Sequence, residues 1–213
     1  MKVIVIGGVA AGMSAAAKLK RMNHDAQVVV YEKGSYVSYG ACGLPYYVSG
    51  ENDDYTKMIA RTKEEFEASG IDVYVRHEVV KVSPERKQIM VKNLDNGDVF
   101  LDAYDKLMIG TGTVAIQPPF EGHDLANIHV LKTLDDGIEL KEIANQNEIE
   151  NVVIVGGGYI GIEVAEAMRY LGKNVTVIEM ADRVLTNFDQ EITDIVEQEL
   201  DKQGVQLQLN EKV

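Results

Sequence analysis

The sequence predicts an α/β fold built on two strand–helix–strand units with parallel strands. Three observations predict it. Short β-branched runs at 3–6 and 151–155 each end in a cluster of glycines. A helical stretch follows each cluster, and a second β-branched run closed by a glutamate follows each helix. Two strands joined through a helix within about 30 residues need a crossover, which makes them parallel and right-handed.

Val3-Ile4-Val5-Ile6 reads as the first strand, ending at Gly7-Gly8. Residues 10–22 are rich in alanine, with Lys18, Lys20 and Arg21 placed to complement the dipole at the helix C-terminus. Residues 28–31 form the second strand, closed by Glu32. A glycine-punctuated loop with Cys42 follows, then a helix over 62–69. Strand-like stretches lie at 71–76, 88–92 and 98–101, with turn signals at Pro84 and Asn96-Gly97. Residues 105–109 lead into Gly110-Thr111-Gly112-Thr113, and Pro118-Pro119 breaks the chain soon after. The boundary is therefore drawn to give one domain over 1–115 and a second over 116–213. The second unit runs as a strand at 151–155, a helix at 160–171 and a strand at 175–178 closed by Glu179. An acidic amphipathic helix at 189–202 and a strand at 205–209 complete the chain, which ends in what reads as the middle of a sheet. It is read as truncated, the second domain being incomplete.

Composition narrows the partners. Of 213 residues, 26% are charged and 46% hydrophobic, an ordinary globular balance. A net charge of −13 argues against nucleic acid. No apolar run approaches the roughly 20 residues needed to span a bilayer, and the N-terminus lacks a signal peptide's long apolar core. Cys42 is the only cysteine, which excludes an internal disulfide and a cysteine-built zinc site. His24, His77, His123 and His129 have no mutual metal-ligand spacing, so no metal is expected. The expectation is a cytoplasmic protein.

The glycine clusters point to phosphate binding. A dinucleotide fold needs a tight turn after its first strand, close backbone approach to a pyrophosphate, and an acid about 20 residues on for a ribose hydroxyl. Gly156-Gly157-Gly158-Tyr159-Ile160-Gly161 supplies G-x-G-x-x-G, and Glu179 stands at the end of the next strand. That acid favours NADH over NADPH, whose 2′-phosphate it would repel. Gly7-Gly8-Val9-Ala10-Ala11-Gly12 is less regular, with Val9 where the middle glycine belongs, yet Glu32 again closes the next strand. Two such Rossmann-like units suggest two dinucleotides, one held and one exchanging, of which a flavin and a nicotinamide are the simplest pair.

Around Cys42, Tyr36-Val37-Ser38-Tyr39-Gly40-Ala41-Cys42-Gly43-Leu44-Pro45-Tyr46-Tyr47 resembles the active-site segment of the single-cysteine pyridine nucleotide-disulfide oxidoreductases. The resemblance extends through both glycine loops, Thr111-Gly112, Glu163 and Glu179. It implies a glutathione-reductase-like fold and FAD bound by Gly7, Gly8, Ala10, Ala11, Gly12, Glu32, Lys33, Cys42, Thr111, Gly112 and Lys132. It implies NADH bound by Gly156, Gly158, Tyr159, Ile160, Gly161, Glu163 and Glu179, with Tyr159 resembling a tyrosine that covers the flavin and moves aside for nicotinamide. Ser14, Lys18, Arg21, Ser38 and Ala41 match positions lining a coenzyme A site. Relatives that act as oxidases or peroxidases carry a histidine where this chain has Ala10, and Cys42-Gly43-Leu44-Pro45-Tyr46 looks like the coenzyme A-disulfide reductases. The resemblance therefore implies an FAD-dependent reductase whose Cys42 forms a mixed disulfide with CoA taken from CoA disulfide. A longer parent chain would be a homodimer, with or without a rhodanese-like domain. Two alternatives stand beside this reading: an NADH oxidase or peroxidase using a Cys42 sulfenic acid, and a nucleotide-binding fragment without turnover. The bland readings are surface lysines at 18 and 132, a packing aromatic at 159, a first-turn helix acid at 163 and an inert thiol at 42.

Overall fold

The computed structural model describes all 213 residues, Met1 to Val213. In chain order the elements are β1 (Lys2–Ile6), α1 (Ala10–Met22), β2 (Gln27–Tyr31), α2 (Leu44–Ser49), α3 (Lys63–Ala68), β3 (Ile71–Tyr74), β4 (His77–Ser83), β5 (Gln88–Asn93), β6 (Val99–Ala103) and β7 (Lys106–Ile109). After them come α4 (Leu134–Ala144), β8 (Asn151–Val155), α5 (Tyr159–Tyr170), β9 (Asn174–Glu179), α6 (Gln190–Lys202) and β10 (Val205–Leu209). The predicted α/β class and both parallel strand–helix–strand units are present.

The residues form two compact units that interleave along the chain. The first comprises Met1–Ala41, Thr56–Val114 and Thr133–Asp135; the second comprises Cys42–Tyr55, Ala115–Lys132 and Asp136–Val213. Relative to a single cut after residue 115, residues 42–55, 115 and 133–135 group with the other side. Residues 42–55 group with the later chain because α2 packs on α5, with Val48 fully buried among Val164, Ala165 and Met168.

In the first unit the parallel sheet runs β3-β2-β1-β7. Its strands are apolar on both faces, as expected of a sheet covered on both sides. Val5, Val28 and Val30 face α1 and α3 with Met13, Ala16 and Phe66, whereas Ile4, Ile6, Val29 and Tyr31 meet Ile89 and Val91 of the antiparallel sheet β4-β5-β6. The Tyr31 hydroxyl donates to Asp102 Oδ2 at 2.9 Å, and Lys2 pairs with the other oxygen of Asp102. Burial first, then this hydrogen bond, holds the Tyr31 phenol above its ordinary pKa.

In the second unit the sheet runs β10-β9-β8, all parallel. One face packs through Val175 and Val177 onto α5 and α6. On its other face Val153 and Val155 are 60% and 52% exposed. No helix in the chain is long and apolar enough to cross a membrane.

Two local expectations need correction, and one helix falls where none was expected. The strand expected over 71–76 ends at Tyr74, and Arg76, at φ +57°, turns the chain into β4. The Gly43-Leu44-Pro45 segment opens α2 with proline in its first turn, where a missing N–H does no harm. Helix α4 lacks a clear sequence signal because Gly137 interrupts it. A Cβ at that position would come within 2.6 Å of a Leu44 methyl, so the glycine permits close packing of α4 on α2.

Candidate functional site

The two glycine loops follow the same path. Gly7 and Gly156 have φ of +99° and +109°, a region that favours glycine, and their amides bond the Tyr31 and Ile178 carbonyls at 2.8 Å. A Cβ on Gly12 would overlap the Gly7 carbonyl oxygen, and one on Gly161 would overlap that of Gly156. Val9 replaces a glycine without changing this path, so the irregular first motif builds a regular loop. Gly7 also lies against the segment after β7, where a Cβ would overlap the Gly110 carbonyl and reach within 3.3 Å of the Thr111 amide.

Each loop then opens onto a helix whose N-terminus is left free of the chain's own caps. Neither Val9 nor Gly158 provides a side-chain cap, and neither α1 nor α5 has an acid in its first turn. Helix α3 shows the contrast: Thr62 and Glu65 form a reciprocal capping box there. Free amides and the positive end of the dipole make α1 and α5 anion-binding ends, suited to a pyrophosphate. Glu163 lies beyond the first turn, so the dipole reading of that residue fails. It lines a cleft between α5 and α2 with Pro45, Tyr46, Ser49 and Glu166.

The two strand-end acids are locked in the same way. Glu32 accepts from the amides of Gly8 (2.5 Å) and Gly34 (2.7 Å), and Glu179 accepts from those of Gly157 (2.7 Å) and Ala181 (2.8 Å). Downstream, Ser38 and Leu185 adopt φ of +53° and +47°, and their amides bond the Gly8 and Gly157 carbonyls at 2.9 Å. Val37 and Val184 pack beneath, each 2.9 Å from where a Cβ on Gly8 or Gly157 would stand. The acids therefore fix the loop shape and keep further lone pairs for a ribose hydroxyl. Sequence reasoning named the acids but missed their supports Gly34, Val37, Ala181, Val184 and Leu185. The shared Glu-to-Val spacing, 32 to 37 and 179 to 184, was the available signal.

Gly7, Gly8, Ala10, Ala11, Gly12, Glu32, Lys33, Thr111 and Gly112 all fall in the first unit, with Lys33, Thr111 and Gly112 exposed. Ser14, Lys18 and Arg21 share an exposed face of α1, and Ser38 and Ala41 lie in the segment that follows β2. Cys42 begins the second unit, a free exposed thiol in a single 3-10 turn, Ala41–Gly43, that leads into α2. Lys132 is exposed and its amide donates to Asp136 Oδ2 at 2.9 Å. Gly156, Gly158, Tyr159, Ile160, Gly161, Glu163 and Glu179 are gathered in the second unit. Tyr159 accepts from Asn187 Nδ2 at 2.6 Å and meets Phe188 edge-on at 5.6 Å between ring centroids. Arg183, four residues after Glu179, has a buried Nε without a partner. No group of three or more acids, histidines or cysteines could hold a metal ion.

The model of one family, pyridine nucleotide-disulphide oxidoreductase, matches residues 1–213. The chain belongs to the pyridine nucleotide-disulphide oxidoreductases. Among its relatives in this family, the NAD(P)H coenzyme A polysulfide/persulfide reductase of Pyrococcus horikoshii is 39% identical over 99% of this chain and 46% of that protein. The NADH oxidase of Enterococcus faecalis is 37% identical over 100% of this chain and 48% of that protein. The crystal structure of reduced Bacillus anthracis CoADR-RHD matches with a TM-score of 0.96 at 33% identity, over 100% of this chain and 38% of that one. The chain thus spans about half the length of the curated relatives it matches.

Proposed function

We propose that this chain carries the two dinucleotide sites and the reactive thiol of an FAD-dependent, NADH-using reductase of coenzyme A disulfide, acting in the cytoplasm. The observation that carries the reading is the duplicated, uncapped loop: two helix ends open to anions, each held by a doubly bonded acid. The first would hold FAD through Gly7, Gly8, Ala10, Ala11, Gly12, Glu32, Lys33, Thr111 and Gly112, with Lys132 and Cys42 as further contacts. The second would hold NADH through Gly156, Gly158, Tyr159, Ile160, Gly161, Glu163 and Glu179. When bound, the flavin supplies electron pairs drawn from reduced nicotinamide to sulfur.

The protein's own part is thiol exchange. The Cys42 thiolate attacks one sulfur of CoA disulfide, a Cys42–CoA disulfide forms, and the other CoA leaves as its thiolate. Two electrons and a proton then return Cys42 as thiolate and release the second CoA as thiol. The exposed face of Ser14, Lys18 and Arg21, with Ser38 and Ala41, is assigned to the CoA phosphates. The longer protein is proposed to be a homodimer.

The test is the mass of the protein after addition of CoA disulfide. One CoA adduct on Cys42, lost in Cys42→Ser, supports the reading. A sulfenic acid trapped by dimedone without any CoA adduct would favour an NADH oxidase instead. That second reading rests on the similarity to the Enterococcus faecalis enzyme and is opposed by Ala10 in the first loop.

A further inference from the structure

The two strand-end acids have different neighbours. Lys33 follows Glu32 and Met180 follows Glu179, and the next residue of each, Gly34 or Ala181, gives its amide to the acid. The backbone on both sides of Met180 is pinned. The Glu179 carbonyl accepts from the Glu211 amide at 3.1 Å, and the Ala181 carbonyl accepts from the Asn210 amide at 2.8 Å. Yet Met180 is 75% exposed, the most exposed of the eight methionines. A thioether is therefore displayed from a fixed backbone and takes no part in the core. It stands just beyond the carboxyl end of β9, on the side where α/β sheets of this kind bind their ligands.

We infer that Met180 is an oxidation-sensitive contact of the second dinucleotide site: its thioether lies on the adenine of NADH, and conversion to the sulfoxide by peroxide reversibly weakens that binding. This rests on the assignment of Glu179 to the adenosine ribose. The base is bonded to that ribose, so the residue beside the acid is within reach of its flat face. A thioether gains from contact with an aromatic ring. In the oxidation the sulfur lone pair takes one oxygen of hydrogen peroxide. The O–O bond breaks, an S–O bond forms, and the second oxygen leaves as water, the sulfur losing the two electrons that peroxide gains. The sulfoxide is polar, so the apolar contact is lost. That loss corresponds to roughly 2- to 10-fold in Kd. Lys33, at the matching place in the first unit, has no sulfur and is inert to this chemistry.

The experiment treats the whole chain with hydrogen peroxide, removes the excess and adds dithiothreitol, which returns a Cys42 sulfenic acid to the thiol and leaves methionine sulfoxide in place. Peptide mass mapping locates the added oxygen, and calorimetry gives Kd for NADH and ADP-ribose before and after treatment. Wild type should carry the oxygen on Met180 and bind both ligands roughly 2- to 10-fold more weakly, with affinity restored by methionine sulfoxide reductases A and B. Met22→Leu, which removes a methionine 73% exposed in the first unit, should keep that response, and Met180→Leu should lose it. An unchanged Kd with Met180 oxidised, an equal loss in Met180→Leu, or Met180 left intact while Met22 is modified each overturns the inference. A loss of affinity matched by a fall in melting temperature also overturns it, since unfolding then explains the change. Untreated wild type that binds neither ligand overturns the NADH assignment as well, whereas binding that is indifferent to oxidation overturns this inference alone.

Discussion

Replacing Glu32 by glutamine should open the first phosphate loop. Glu32 is 8% exposed, and its two oxygens accept from Gly8 and Gly34 at 2.5 and 2.7 Å. Glutamine keeps the shape but offers one oxygen and one NH2 group, so one of the two amides would face a donor. Two effects overlap: a charge-assisted bond of about 1.5–3 kcal/mol is lost, and a buried N–H loses its partner at about 1–3 kcal/mol. Together they should destabilise the first unit by roughly 2–4 kcal/mol. The matched change Glu179→Gln should cost less, because Glu179 is only half-buried and water can reach the freed amide. Urea unfolding followed by circular dichroism measures the loss, with the two units fitted as separate transitions. Hydrogen exchange at Gly8 and Gly34 localises it. A loss under about 1 kcal/mol, or no faster exchange at either amide, would refute the claim that the acid holds the loop.

Gly161→Ala should abolish NADH binding while leaving the first unit folded, since its Cβ would overlap the Gly156 carbonyl; calorimetric titration decides it. With Glu179 in its proposed ribose role, NADPH should be used roughly 10- to 100-fold less well than NADH by the full-length enzyme; equal kcat/KM would remove that role. Cys42→Ser should lose CoA-disulfide reduction and keep flavin reduction by NADH, read from the flavin absorbance of the full-length protein. Tyr31 supplies a pH signature. Its phenol titrates higher folded than unfolded, so its contribution to stability is complete below about pH 10 and declines as pH rises further. Urea stabilities of wild type and Tyr31→Phe should therefore converge on raising the pH above 10, and a gap that widens would contradict the Tyr31–Asp102 bond.

Backbone demands were legible in the sequence, and side-chain traffic was not. Gly7, Gly12, Gly156 and Gly161 announce themselves because a side chain there would overlap a carbonyl oxygen or strain a positive φ. Glu32 and Glu179 announce themselves by standing at strand ends. By contrast α4 was hidden, because Gly137, which lets the helix pack close to Leu44, interrupts its pattern. The supports at Val37 and Val184 look like any core valine until Gly8 and Gly157 are seen above them. Asn187 carried no signal, since a single exposed amide gains meaning only from the tyrosine it meets. The grouping of Cys42 with the second unit depends on α2 packing on α5, a contact between residues more than 100 positions apart.

The two units differ in length between their last loop glycine and their acid, and the difference is placed with care. Helix α1 has 13 residues to the 12 of α5, and four residues join α1 to β2 where three join α5 to β9. Both extra residues lie toward the end of the sheet remote from the glycine loops, where Asn23, His24 and Asp25 are exposed. The loop end tolerates no added atom at Gly12 or Gly161, whereas the remote end has already absorbed a change in chain length. The Asn23–Asp25 connection is consequently the place to splice in a fluorophore tag or an affinity handle, clear of both glycine loops.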